Sequence, residues 1–111
     1  MVVELQHRRD LDQLIEKSKS DPVVIFKHST QCAVSHQAYD EFNRFASRSE
    51  DVTCGVVLVI EDRAISETIA SELGVRHQSP QAIVVRNGCS AWNASHWSIT
   101  EDSLNEALHN A

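Results

Sequence analysis

Positive charge, long apolar runs and paired cysteines are all scarce in this 111-residue sequence. Ten Lys and Arg face sixteen Asp and Glu, for a formal net charge of −6. An acidic balance argues against binding nucleic acid or anionic membrane surfaces, both of which need basic patches. The longest uncharged apolar segment is 52–60, Val-Thr-Cys-Gly-Val-Val-Leu-Val-Ile. It is far short of the roughly 20 residues that span a bilayer. The opening Met1-Val2-Val3-Glu4 has no basic lead and no apolar stretch, so no secretory signal is expected. A cytoplasmic location follows as the expectation, with the thiols reduced at rest. There are three cysteines, an odd number, and no C-x-x-C pair, which argues against a disulfide framework. Two prolines and three glycines leave no linker-like stretch, and no internal repeat or low-complexity segment is visible.

What remains is an ordinary apolar fraction of 41%, enough for one domain over residues 1–111 with a single modest core and no disulfide staples. Val2–Gln6 reads as a short strand. Arg8–Ser20 reads as a helix with Leu11, Leu14 and Ile15 on one face, stopped at Asp21-Pro22. Val23–Lys27 is a β-branched run suited to a central parallel strand. His28–Gln31 is a polar turn in which Ser29 and Thr30 are candidate helix caps. Cys32–Ser47 carries Val34, Ala38, Phe42 and Phe45 at helical spacing. A second buried strand is expected over 52–60, then a helix over Ala64–Leu73 closed by Gly74. Pro80 opens a strand over Gln81–Arg86. Asn87-Gly88 is a strong hairpin signal, with a return strand over Cys89–Asn93 and a last helix over Thr100–His109. The core order β-α-β-α-β-β-α, with a possible extra N-terminal strand, predicts an α/β thioredoxin-like fold with a mixed sheet. Its helix-linked strands should be parallel.

The sharpest chemical feature is Cys32 at a strand-to-helix junction. A sulfur there faces unpaired backbone N–H groups at the positive end of a helix, which favour the thiolate, the nucleophilic form. Such a thiol attacks disulfides or peroxides; an inert, partly buried cysteine is the bland alternative. Lys27 and His28 are sources of added positive charge. Cys32-x-x-Ser35 places a hydroxyl, not a second thiol, one turn along the helix. Ser35 cannot resolve a mixed disulfide, but its hydroxyl could donate to the Cys32 thiolate. A one-thiol mechanism is therefore expected, with Cys32 and Ser35 as the catalytic pair. Ser79-Pro80 begins a strand opposite the end of the first core strand. In thioredoxin-like folds the proline at this place is usually cis and lies against the nucleophile. The Ser79 backbone would then pair with an extended substrate segment, and Thr30, Gln31, Ser79 and Pro80 are taken as the substrate-contacting residues.

Cys54 and Cys89 read as structural. Cys54 lies about six residues, or roughly 20 Å, before the end of its strand, and a disulfide needs Cα atoms within about 7 Å. His28, His36 and His77 could converge near Cys32, which raises a metal-binding or iron–sulfur alternative, although no ligand spacing in the sequence supports it. A third alternative is a non-catalytic thioredoxin-fold docking module. Trp92 and Trp97 are expected to be packing residues, with lining of a substrate surface as the alternative. Asn93-Ala94-Ser95 matches a glycosylation sequon that has no meaning in the cytosol.

Three stretches carry a family resemblance. Phe26-Lys27-His28-Ser29-Thr30-Gln31-Cys32-Ala33-Val34-Ser35, then Val75-Arg76-His77-Gln78-Ser79-Pro80-Gln81, then Trp92-Asn93-Ala94-Ser95-His96-Trp97-Ser98-Ile99-Thr100 together resemble the YtxJ-like monothiol bacilliredoxins. The resemblance covers nearly the whole chain. It implies a bacterial thiol–disulfide exchange protein acting with bacillithiol, a low-molecular-weight thiol with sugar and malate portions. Cys32 would be the attacking thiol and Pro80 the cis-proline. No tightly bound cofactor and no metal are expected. The small thiol would be the co-substrate and oxidised proteins carrying mixed disulfides the partners. The family commonly has proline after the nucleophile; this chain has Ala33.

Overall fold

The computed structural model describes residues 1–110. The chain runs β1 (Val2–Glu4), α1 (Arg8–Lys17), β2 (Val23–His28), α2 (Ala33–Arg48), β3 (Cys54–Leu58), α3 (Arg63–Leu73), β4 (Gln81–Arg86), β5 (Cys89–Ser95), a 3-10 turn (His96–Ser98) and α4 (Glu101–Asn110). The strands form one sheet in the order β1-β3-β2-β4-β5. β1, β2 and β3 are parallel, while β4 runs antiparallel to both β2 and β5. This is the mixed sheet of a thioredoxin fold, with the extra N-terminal strand in place.

Strand alternation divides the core in two. Val24, Phe26, Val56, Ala82 and Val84 face α2 and α4 through Ala38, Phe42, Phe45, Leu104 and Ala107. Val23, Ile25, Val57, Ile83 and Val85 face Leu11 and Leu14 of α1 and Ile65 and Ile69 of α3. All six residues of β2 are buried, as a central strand covered on both faces requires. No helix among the described residues is long and apolar enough to cross a membrane.

Several ends differ from the sequence reading. α1 stops at Lys17, three residues early, because Ser18 turns inward and its amide takes the last helical carbonyls. Buried Ser18 then holds the far hairpin: its carbonyl accepts from the Asn87 amide at 2.8 Å, and its Oγ from the Gly88 amide at 2.9 Å. β3 is shorter than the 52–60 run, since Val59 and Ile60 turn away beyond Leu58. β5 instead extends to Ser95, aided by a bulge between Val84 and Val85 that keeps it paired. The Asn87-Gly88 turn has φ of 54° and 75°, and Gly74 caps α3 at φ 63°. Thr100 caps α4 reciprocally, with each of Thr100 and Ser103 donating its amide to the other's hydroxyl at 3.0 Å.

Gly55 leaves room for Leu5 and Leu14 to pack close against β3. A Cβ there would lie 2.7 Å from Leu14 Cδ2 and 2.8 Å from Leu5 Cδ1, both on buried side chains. Gly55→Ala is expected to destabilise the protein by about 1–3 kcal/mol through overpacking, read as a lower denaturant midpoint with an unchanged slope.

Candidate functional site

β2 delivers the chain to the site and α2 carries it away. Between them Ser29–Gln31 make a tight turn, and Cys32 itself is the N-cap of α2, at φ −120° and ψ 122°. The expectation that Ser29 or Thr30 caps the helix is corrected, because the turn closes two residues later. The Cys32 amide donates to the Ser29 carbonyl at 3.3 Å, and the His36 amide to the Cys32 carbonyl at 3.1 Å. Cys32 is half-buried and free. Thr30 and Gln31 are exposed beside it.

Ser35 is fully buried, and its Oγ is engaged within the loop. It accepts from the Ser29 amide at 2.9 Å and lies 2.7 Å from His28 Nδ1. These bonds replace the expected hydroxyl–sulfur bond: helical spacing puts Ser35 one turn past Cys32, but its side chain turns inward to the strand end. The His36 ring donates from Nε2 to the Thr30 carbonyl at 2.8 Å. Two α2 side chains thus hold the turn that precedes the sulfur, so Ser35 is a positioning residue for the Cys32 loop.

His28 is itself fixed by aromatic packing. Its ring stacks on Tyr39 at 4.4 Å between centroids, and His36 meets it edge-on at 5.2 Å. Phe26 and Phe42 continue the stack, 5.0 Å apart. Burial lowers the His28 pKa, helped by His36 and opposed by Glu61, so the ring is neutral at pH 7.

On the other side of the Cys32 loop, Pro80 is buried and the Ser79-Pro80 peptide bond is cis. The Lys27–Gln81 pairing places Pro80 beside the end of β2. The Ser79 hydroxyl is buried without a hydrogen-bond partner among the described residues. The Pro80 carbonyl accepts from the His96 amide at 3.1 Å. His96 has a left-handed φ of 55°, and the following Trp97 is 64% exposed. Trp92 packs partly against the α2–α4 core, but Trp97 is no packing residue and stands beside the Pro80 segment.

The three histidines do not converge. His28 and His36 lie together on the α2 face, whereas His77 meets Lys27 on the opposite face, with Lys27 Nζ 3.0 Å from His77 Nδ1. Among the described residues no group of three His, Cys, Asp or Glu is arranged to hold a metal ion. Cys54 is buried at the start of β3, and burial pushes its thiol up to about 11. Cys89 is exposed beside Arg86 at the hairpin end. Sequence reasoning missed the Lys27–His77 contact and the ring stack under His28. Strict alternation along β2 was the available signal, since adjacent residues of a strand must serve opposite faces.

The family model described as monothiol bacilliredoxin BrxC matches residues 3–104. A solved structure described as a candidate oxidoreductase with a thioredoxin fold is 36% identical over 96% of this chain and 92% of its own, with a TM-score of 0.86. Thioredoxin from Fasciola hepatica is 21% identical over 98% of this chain and 97% of its own, with a TM-score of 0.75. Thioredoxin from Trypanosoma brucei brucei is 14% identical over 99% and 89%, with a TM-score of 0.79. The last two likenesses bear on the fold alone.

Proposed function

Because the chain belongs to the monothiol bacilliredoxin family of thiol–disulfide oxidoreductases, we propose that it removes bacillithiol, or a similar small thiol, from mixed disulfides on oxidised proteins. One observation carries this reading: a free, accessible cysteine caps α2, with a serine in place of a resolving thiol. In the first step the Cys32 thiolate attacks the small-thiol sulfur of the mixed disulfide. A Cys32–small-thiol disulfide forms, the bond to the client sulfur breaks, and the client leaves as a thiolate that takes a proton from solvent. In the second step a second small thiol, as thiolate, attacks the sulfur bound to Cys32. Cys32 is released as thiolate, and the small thiol departs as its symmetrical disulfide. Electrons balance, since each attack breaks one S–S bond and forms another.

Ser35, held by His28 and the Ser29 amide, supports the loop without entering the sulfur chemistry. Cys54 and Cys89 are too remote in the fold to resolve the intermediate, which is why the external thiol is needed. The exposed Thr30 and Gln31, the Ser79 backbone and Pro80 are the surface against which the client segment would lie.

Intact-mass analysis of the protein mixed with a bacillithiol-modified client tests the proposal. The expected result is loss of the adduct from the client and its appearance on Cys32. Ready alkylation of Cys32 without transfer would overturn the substrate and leave the reactive thiol. A Cys32 that neither accepts the adduct nor alkylates would make the chain a docking module.

A further inference from the structure

Lys27 has no part in the exchange chemistry and is the most unusual side chain in the molecule. It is 0% exposed in the middle of the sheet. Its ammonium donates to the Ser66 carbonyl at 3.1 Å and to His77 Nδ1 at 3.0 Å, and the Ser66 hydroxyl lies 3.5 Å from the same ring nitrogen. An ammonium only donates, so the proton of the neutral His77 ring is on Nε2, directed away from Lys27. No carboxylate among the described residues pairs with Lys27; Glu67, the nearest acid on α3, pairs with Arg63 at 3.1 Å. Buried charges in proteins are normally paired. Here both acceptors are neutral, and the counter-charge is missing. Burial lowers the Lys27 pKa to about 8, which leaves the ammonium mostly charged at neutral pH.

Immediately outside these acceptors is a cavity of about 390 Å³, lined by Val59, Ile60, Arg63, Ser66, Glu67 and His77. It lies at the Cys32 end of the sheet. The Val59 amide bonds the His28 carbonyl at 3.0 Å, and His77 is three residues before Pro80. Arg63, the first residue of the 11-residue helix α3, brings a planar five-donor fork suited to carboxylates. His77 Nε2–H adds a further donor.

We propose that this cavity binds a small carboxylate, supplied in the reaction by the acid portion of the thiol co-substrate. Arg63 and His77 make the direct contacts, Val59 and Ile60 form the apolar wall, and the Lys27 ammonium behind Ser66 and His77 provides the balancing charge. The assignment of the carboxylate to the co-substrate rests on the small-thiol reading given above; the site itself rests on the buried cation and its cavity. Glu67 swings its Arg63 contact aside or shares it, since that pair is exposed and weakly held.

The test uses L-malate alone as the probe, with neutral malamide as the control. The Lys27 Cε–Nζ resonances are followed through a pH titration by NMR. Malate is expected to shift them saturably and to raise the Lys27 titration midpoint, while malamide does neither. Arg63→Gln and His77→Gln, both at exposed positions, are each expected to weaken malate binding about tenfold, the loss of one charge-assisted hydrogen bond. In the exchange reaction Arg63→Gln is expected to raise KM for the small thiol more than it changes kcat. Lys27 resonances indifferent to malate would overturn the site. Malate binding with an unaltered KM would overturn its assignment to the co-substrate. Malate binding by a protein that transfers no bacillithiol would uphold the site while the proposed function fails.

Discussion

Cys32→Ser is expected to abolish adduct removal, returning the client to the rate set by the free small thiol, while Cys54→Ala and Cys89→Ser retain transfer. The three thiols differ in environment in ways that make this sharp. Cys54 is fully buried, and with its thiol pushed up to about 11 it is ionised to roughly one part in 10⁴ at pH 7. It therefore supplies almost no nucleophile. Cys89 is exposed, but its register partner is Arg86, at the sheet end remote from the Lys27–Gln81 pair. Only Cys32 is both accessible and at the head of a helix. Alkylation of the native protein should label two thiols, Cys32 and Cys89, and the third only after unfolding. Transfer that survives Cys32→Ser would refute the one-thiol mechanism outright.

Phe42→Ala should destabilise the protein by about 3–5 kcal/mol, a large share of the ~5–15 kcal/mol typical of a domain. Phe42 is fully buried, and its ring stacks 5.0 Å from Phe26, which lies 5.7 Å from Tyr39. Tyr39 in turn supports His28, the partner of Ser35. The mutation removes the base of this stack, so its effect should reach the Cys32 loop. Chemical denaturation reads the first effect. The second is faster hydrogen exchange at the Ser29 amide, whose acceptor is Ser35 Oγ. A stability loss under 1 kcal/mol would mean that the stack relaxes into the space, contrary to the close packing described.

Much of the fold was legible because period and punctuation agreed. The β-branched run at 23–27, the Leu11–Leu14 stripe, Gly74 and Asn87-Gly88 each point to one local structure and to the same topology. Boundaries were less legible where a single side chain decided them. Ser18 ends α1 by turning inward to hold the hairpin, a long-range contact that no local pattern encodes. The position of Cys32 could be read, because a polar turn between a buried strand and an amphipathic helix puts it at a helix start. The bonding of Ser35 could not, because helical spacing gives its height along the axis and not the partner its hydroxyl chooses. The histidines show the same limit: closeness to Cys32 in sequence or in expected topology did not tell which sheet face each ring would join.

The two described ends of the chain have a practical use. The Met1 ammonium donates to the carbonyls of Glu50 and Val52, near the start of β3. α4 begins beside the His96–Ser98 turn and finishes near Arg86, whose guanidinium donates to the Leu108 carbonyl. Met1 and the last turn of α4 therefore both lie at the pole opposite Cys32. A fluorescent protein or a surface tether placed at that pole would leave Cys32 open to an incoming disulfide. That arrangement suits the fold to use as the sensing half of a genetically encoded redox probe.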